Sequence, residues 1–474
     1  MARSDDDLRV ANSAVPEDLE DLALRDDYAL NPAFVEMVVD AAERGDSKRL
    51  GELMDALHPA DIADLMGFLS GDYREALVPL LAPDVLAEVL SELDGALRED
   101  ILEHVAPGVL AAAIGEMDSD DAADVVDDLE ADVRGQVLAQ MSDVDRAGIE
   151  HSLAFGDETA GRLMQREVLA APQFWTVGQT IEHVRQAAED LPDLFFDVYV
   201  VDPANRPVGA APVSRLLKSR PDALLSEIME SVTEIPADMD QEEVAYIFDK
   251  YHLISAPVIE PGGRLVGQIT VDDIVGVIRE ESDEDMLALA GVSDTEIGAT
   301  VFGVTRARFW WLFINLGTAI LASSVIALFQ GSIEKFAALA VLNPIAASMG
   351  GNAGTQTLTV AVRAIATKEL NATNVLATIW RELAVGLLNG LAFFVVMGGV
   401  TFIWFHDPLM AVIAGAAMII NLFAAALAGI LIPLGLDRMG FDPAASSVVF
   451  LTTVTDCVGY FSFLSLATLV LIHH

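Results

Sequence analysis

The chain has 474 residues, with 27 Lys and Arg against 73 Asp and Glu, for a formal net charge of -46 at pH 7. Residues 301–474 hold seven of each sign, so the whole excess lies on the first 300 residues, 66 acidic against 20 basic. Such a surface repels nucleic acid and an anionic leaflet and attracts divalent cations, and a single cysteine, Cys457, excludes an intrachain disulfide.

Residues 1–30 are acidic and weakly patterned and read as a flexible leader; "MARSDDDLRV" lacks the basic region and apolar run of a cleaved signal. From there to residue 162 the chain reads as an all-α domain. Pro59, Gly71, Pro83, Gly95, Pro107, Ser119, Ala131 and Asp143 are spaced 12 apart with Leu, Val, Ala and Ile runs between them. Twelve residues hold one short helix and a turn, which predicts a compact helical stack.

Two alternating strand and helix segments follow. "FFDVYVVDPANRPVGAAPVSRLL" gives strand, turn, strand and helix, and "LISAPVIEPGGRLVGQITVDDIVGVI" repeats that order with Pro261, Gly262 and Gly263 in the turn. A helical stretch precedes each. This order resembles a tandem pair of CBS (α+β) domains over 163–227 and 228–282. The resemblance places Thr270 and Asp273 of the second copy where the family holds an adenosine ribose, so an adenine nucleotide is an implied ligand; Pro212 and Arg215 stand there in the first copy.

Residues 283–308 read as an amphipathic connecting helix, followed by Phe309, Trp310 and Trp311 at headgroup depth. Five apolar spans are predicted over 309–330, 337–366, 383–405, 411–434 and 444–472, each at or above the ~20 residues that cross a bilayer. Arg306, Arg308, Arg363, Lys368, Arg381 and Arg438 fall on one side and Lys335 on the other, which puts the N-terminal domains in the cytosol and His473 and His474 outside.

Polar residues inside these spans carry the chemistry. In "LNPIAASMGGNAGTQTLTVAV", Pro344, Gly350, Gly351 and Gly354 predict an opened backbone, tolerated at membrane depth only where it lines water or is buried in protein. Asn343, Asn352, Thr355 and Gln356 would then line a polar path, with tight packing of small residues as the alternative. Asp456 lies about a dozen residues into the last span without a basic residue in any span's middle; an isolated charge there costs roughly 2.5–3.5 kcal/mol. It is therefore protonated or faces water and a cation, and Thr452, Thr453 and Thr455 add oxygens that suit a hard ion. Asn421 in the fourth span is either a wall of the path or an interhelical hydrogen bond. Intramembrane aspartyl proteolysis requires two aspartates, the histidines are too scattered for zinc catalysis, and there is no phosphate-binding GxxxxGK[ST] loop.

"MGGNAGTQTLTVAVRAIAT" and "FDPAASSVVFLTTVTDCVGYF", in the order helical domain, CBS pair, connecting helix and five-helix transmembrane bundle, resemble the MgtE family of magnesium channels after about residue 45. The resemblance implies a multidomain homodimer in the inner membrane, not an enzyme. Two copies of Asp456 would face each other across a path for hydrated Mg²⁺. It also implies closure by cytosolic Mg²⁺ at Glu88, Asp120 and Asp124 of the helical domain, Glu242 and Asp273 of the second CBS domain, and Glu281, Glu284 and Asp285 of the connecting helix. His252 and Gly276 depart from acidic family positions. Two other functions fit the sequence: an ion-coupled secondary transporter of divalent cations, and a membrane-anchored adenylate sensor.

Overall fold

A computed structural model describes residue 19 and residues 22–471, apart from 94, 188–190, 192–193, 293–300 and 371–372. Most of the expected leader, part of the expected connecting helix, and His473 and His474 lie outside the described residues. The chain divides into two compact units, Met1–Ile278 and Arg279–His474.

All eight positions of the twelve-residue repeat open a helix, in Pro59–Phe68, Gly71–Leu77, Pro83–Glu92, Gly95–Leu102, Pro107–Ile114, Ser119–Asp127, Ala131–Leu138 and Asp143–Ser152. Proline suits the first helical position because its missing N–H has no partner there in any helix. The sixth residue after each start points into the core: Leu65, Leu77, Val89, Ile101, Ala113, Val125, Val137 and Ile149 are all buried in one apolar cluster. Four of the repeats place an arginine at the fourth helical position, and in two of them it closes the preceding turn. Arg74 donates to the carbonyls of Met66 at 3.0 Å and Leu69 at 3.1 Å, and Arg134 does the same for Leu129 at 3.3 Å.

The rest of this unit holds two small sheets of the same design. In one, β1 (Ala170–Pro172) runs parallel to β2 (Asp197–Val201), which pairs antiparallel with β3 (Pro207–Pro212). In the other, β4 (Ile235–Pro236), β5 (Ser255–Ile259) and β6 (Leu265–Thr270) repeat that order. The register shifts at the same place in both, between Val200 and Val201 and between Val258 and Ile259. Even the close approaches recur: a Cβ on Gly209 would lie 3.0 Å from Met229 Sδ, and one on Gly267 3.0 Å from Met164 Sδ. The buried Tyr199 hydroxyl joins the two sheets by donating to Ser255 Oγ at 2.9 Å, and Ser255 donates on to Asp197 at 2.9 Å.

The described residues of the second unit form five long helices: Val301–Ala327, Ala338–Ala366, Val375–Phe405, Pro408–Arg438 and Pro443–Leu471, called here the first to the fifth. By length and composition the first, third, fourth and fifth are apolar enough to cross a membrane. The second is equally long but interrupted by polar side chains. The expected connecting helix is not one element: residues 283–289 continue the helix Val271–Leu289, and residues 301–308 begin the first long helix.

The expectation of an opened backbone in the second helix is corrected. Ala338–Ala366 is a single unbroken helix of 29 residues with Pro344 inside it. Proline near the start of a long helix removes one backbone bond without ending it. The glycines serve close packing instead. A Cβ on Gly354 would lie 2.8 Å from a Leu451 methyl carbon, and one on Gly429 2.8 Å from the Gly354 carbonyl oxygen. Gly386 and Gly390 likewise bring the third helix onto the fourth, where added Cβ atoms would lie 3.0 Å from the Leu422 carbonyl oxygen and from Ile419 Cα.

Candidate functional site

With its small residues turned inward, the second helix leaves a polar stripe outside. Ser348, Asn352, Thr355, Gln356, Thr359 and Arg363 are all exposed, at helical spacings of three, four and seven that place them on one face. On a helix packed among apolar ones, such a stripe cannot lie against hydrocarbon at low cost. It calls for water or for polar groups of another subunit.

The fifth helix runs antiparallel to the second along its Ala347, Gly351 and Gly354 edge, beside the stripe, while the fourth helix covers the side opposite the stripe at Ala346, Gly350 and Thr357. A Cβ on Gly459 would lie 3.0 Å from Ala347 Cα, one on Gly351 3.9 Å from Thr455 Oγ1, and one on Gly354 against Leu451. Each step forward along one helix is thus a step back along the other. Thr455 lies level with Gly351, so the neighbouring Asp456 and Asn352 occupy the same depth. Asp456 is partly exposed and has no ion-pair partner among the described residues, whereas Thr455 is buried and bonded to the Leu451 carbonyl at 3.0 Å. The Thr452 and Thr453 hydroxyls donate to the Val449 carbonyl at 3.1 and 2.6 Å.

Of the residues expected to line the path, Asn352, Thr355 and Gln356 are exposed and Gly351 is partly so. The others are corrected on burial. Gly350 and Gly354 are covered by neighbouring helices, Asn343 is 3% exposed and Asn421 0% exposed, so none of these presents a surface to a path. Ser348, Thr359 and Arg363 extend the stripe and were missed by the sequence reading. Their spacing from Asn352 was the signal.

The cytosolic acids sort themselves similarly. In the first unit, the helix Ser119–Asp127 is docked beside the second sheet by Ser119 donating to Glu167 at 2.8 Å and Gln165 donating to Asp118 at 3.0 Å. This brings Asp120 and Asp121 into repulsion with Asp273. Asp120 is buried with one carboxylate oxygen unpartnered among the described residues. Burial, then Asp273 and Asp121, push its carboxyl well above the usual range. Burial and Asp273 raise Asp121 to about 7. Asp273 is raised to about 6 by burial, against the opposing hydrogen bond from Thr270 Oγ1 at 2.8 Å. These acids crowd together without cationic relief at Asp120, an arrangement suited to a hard cation with oxygen ligands. No group of three or more His, Cys, Asp or Glu among the described residues is already set for a metal.

Asp124 belongs to a different arrangement. Its carboxylate accepts from the buried Arg162 at 3.0 Å, and Arg162 also bonds Asp127 at 3.0 Å, so Asp124 is already compensated within the protein. Glu88 and Glu242 are exposed. In the second unit Glu281 and Asp285 are partly buried and Glu284 is exposed. Burial, then Asp442 and Glu281, raise the Asp285 carboxyl. One turn on, Ala288 and Leu289 pack against the cluster of Leu358, Val362, Ala428, Ala444 and Leu451 at the ends of the second, fourth and fifth helices.

Comparison with known proteins agrees with this division. A family model described as MgtE, divalent cation transporter, matches residues 343–466; the MgtE intracellular N domain matches 57–158; a CBS domain matches 225–280, the second of the two copies. The magnesium transporter MgtE of Thermus thermophilus is 33% identical over 332 residues, 69% of this chain and 73% of that one. The magnesium transporter MgtE of Enterococcus faecalis is 32% identical over 326 residues, 68% and 71% of the two chains. Among solved structures, the cytosolic domain of the Mg²⁺ channel MgtE in complex with ATP is 30% identical. It covers 51% of this chain and 99% of that one with a TM-score of 0.49.

Proposed function

Because this chain belongs to the MgtE family of divalent cation transporters, we propose that it is a homodimeric Mg²⁺ channel of the inner membrane that imports magnesium and closes when cytosolic Mg²⁺ is abundant. The observation that carries this reading is the exposed stripe of Asn352, Thr355, Gln356 and Thr359 at the depth of a partly exposed Asp456, in a unit otherwise built of apolar helices. All five long helices cross the bilayer, with the N-terminal unit in the cytosol and the C-terminus outside. In the dimer the two Asp456 carboxylates repel each other unless a divalent cation lies between them. Mg²⁺ gives up water reluctantly, so Asp456 and the stripe hold it through its own waters. The hydroxyls that the fifth helix keeps for its own backbone do not compete for it.

Closure uses the acids of the first unit and of residues 281–285. Mg²⁺ bound at Asp120 and Asp273, with Asp121 beside them, screens charges that otherwise drive the helical and CBS domains apart. The packing of Ala288 and Leu289 on the helix ends gives that movement a place to act on the path. Thr270 and Asp273 also suit the ribose hydroxyls of an adenine nucleotide, which would tie the same carboxylate to energy status.

Mg²⁺ entry into proteoliposomes under a fixed gradient tests the reading. Asp456→Ala is expected to lower the flux at least tenfold in a protein that still purifies as a dimer. Wild-type flux in that variant would leave the spans as an anchor for an adenylate sensor. Uphill Mg²⁺ movement driven by an H⁺ or Na⁺ gradient would replace the channel with a coupled transporter.

A further inference from the structure

The fourth helix contains one amide where every neighbour is apolar. Asn421 is 0% exposed, among the buried Met418, Leu422 and Ala425. Its Nδ2 donates to the Ala346 carbonyl of the second helix at 2.7 Å. A Cβ on Gly350 would lie 2.6 Å from its Cγ, and one on Gly459 of the fifth helix would lie 2.8 Å from its Nδ2. The amide therefore rests against bare backbone on both helices at once. Gly459 is one turn beyond Asp456, and Gly350 is two residues before Asn352.

The amide is also expensive where it stands. Its Oδ1 is buried without a partner among the described residues, and an unpaired polar atom far from water opposes folding. A leucine or methionine at this place would pack without that penalty if its neighbours made room. A costly polar group at the junction of two helices, bonded across it, fixes the geometry there. We propose that Asn421 is a positioning residue that sets the separation of the second and fifth helices, and through it the placement of Asp456 relative to the stripe at the same depth, so that the path accepts Mg²⁺ over larger divalent cations. This rests on the channel reading above and replaces the expectation that Asn421 itself lines the path.

The test is an isosteric change that keeps shape and removes the donor only when ionised. Asn421→Asp carries an O–H toward Ala346 when protonated and a charge facing a carbonyl oxygen when not. The second helix from 338 to 362 and the third from 383 to 405 have no charged side chain, and the fifth contributes Asp456, Cys457 and Tyr460 nearby. These three are common to both proteins, so flux is normalised to wild type at each pH. In full-length protein in liposomes, the ratio of Mg²⁺ to Ca²⁺ entry in Asn421→Asp is expected to match wild type at pH 6 and to fall at least fivefold by pH 8.5. Asn421→Ala should show the reduced ratio at every pH. A wild-type ratio throughout in Asn421→Asp, or a reduced ratio that does not change with pH, overturns the positioning role. Asp456→Ala, measured alongside, separates the failures: if it too conducts as wild type, the path is wrong; if it alone is silent, only the role of Asn421 falls.

Discussion

Replacing Asp121 by Asn should make the metal-free protein more stable, because ionising that carboxyl opposes the folded state. Its carboxyl is raised from 3.8 to about 7, first by burial and then by Asp273. The folded protein therefore binds more protons than the unfolded chain between those values, so stability falls as pH rises through that window and is level above it. Roughly three pH units at 1.36 kcal/mol each give an upper bound of about 4 kcal/mol. Asp121 is partly exposed, and solvent screening reduces the figure to about 2 kcal/mol. At ~2–4 °C per kcal/mol for a unit of this size, Asp121→Asn should melt roughly 5 °C above wild type in EDTA at pH 8. The gap should shrink to under half at pH 5, where the folded carboxyl is already neutral. Adding Mg²⁺ at pH 8 should raise the melting point of wild type more than that of the variant. Equal melting points in EDTA at pH 8, or a variant that melts lower, would refute the reasoning.

Removal of residues 1–160 takes away Asp120 and Asp121; single-channel recording should find the remainder open at cytosolic Mg²⁺ that silences the intact protein, and unchanged inhibition would count against the sensor. Gly386→Leu places a side chain where a Cβ would already lie 2.6 Å from Ala426 Cβ and 3.0 Å from a backbone oxygen. It should destabilise the membrane unit by about 1–3 kcal/mol, read as a lower melting point in detergent. Tyr199→Phe strips the buried Ser255 of its donor at 2.9 Å and should cost about 1–2 kcal/mol, seen in urea unfolding of the cytosolic transition while Mg²⁺ flux is kept.

The twelve-residue phase of the helical stack was legible because each start carries a residue that tolerates a helix beginning and each sixth residue after it is apolar, both local properties. The antiparallel pair in each sheet was legible for the same reason, whereas the short parallel strands β1 and β4, of three and two residues, carry too little pattern to be read. Asp456 stood out as a charge in an apolar run. The shape of the second helix was not legible. Gly350, Gly354 and Pro344 signal a broken helix in isolation, and only contacts with residues 70 to 110 positions away convert those glycines into packing surfaces. The pairing of Asp124 with Arg162, 38 residues apart, was hidden too. Charge composition cannot tell a carboxylate awaiting a cation from one that already has its guanidinium.

The junction of Asn421 with Gly350 and Gly459 also constrains how this protein can change over time. A bulkier residue at either glycine collides with the amide, and a smaller residue at 421 leaves a hole between two helices that must stay apart by a set amount. A side chain at either glycine, or a truncation at 421, therefore calls for a compensating change at another of the three positions.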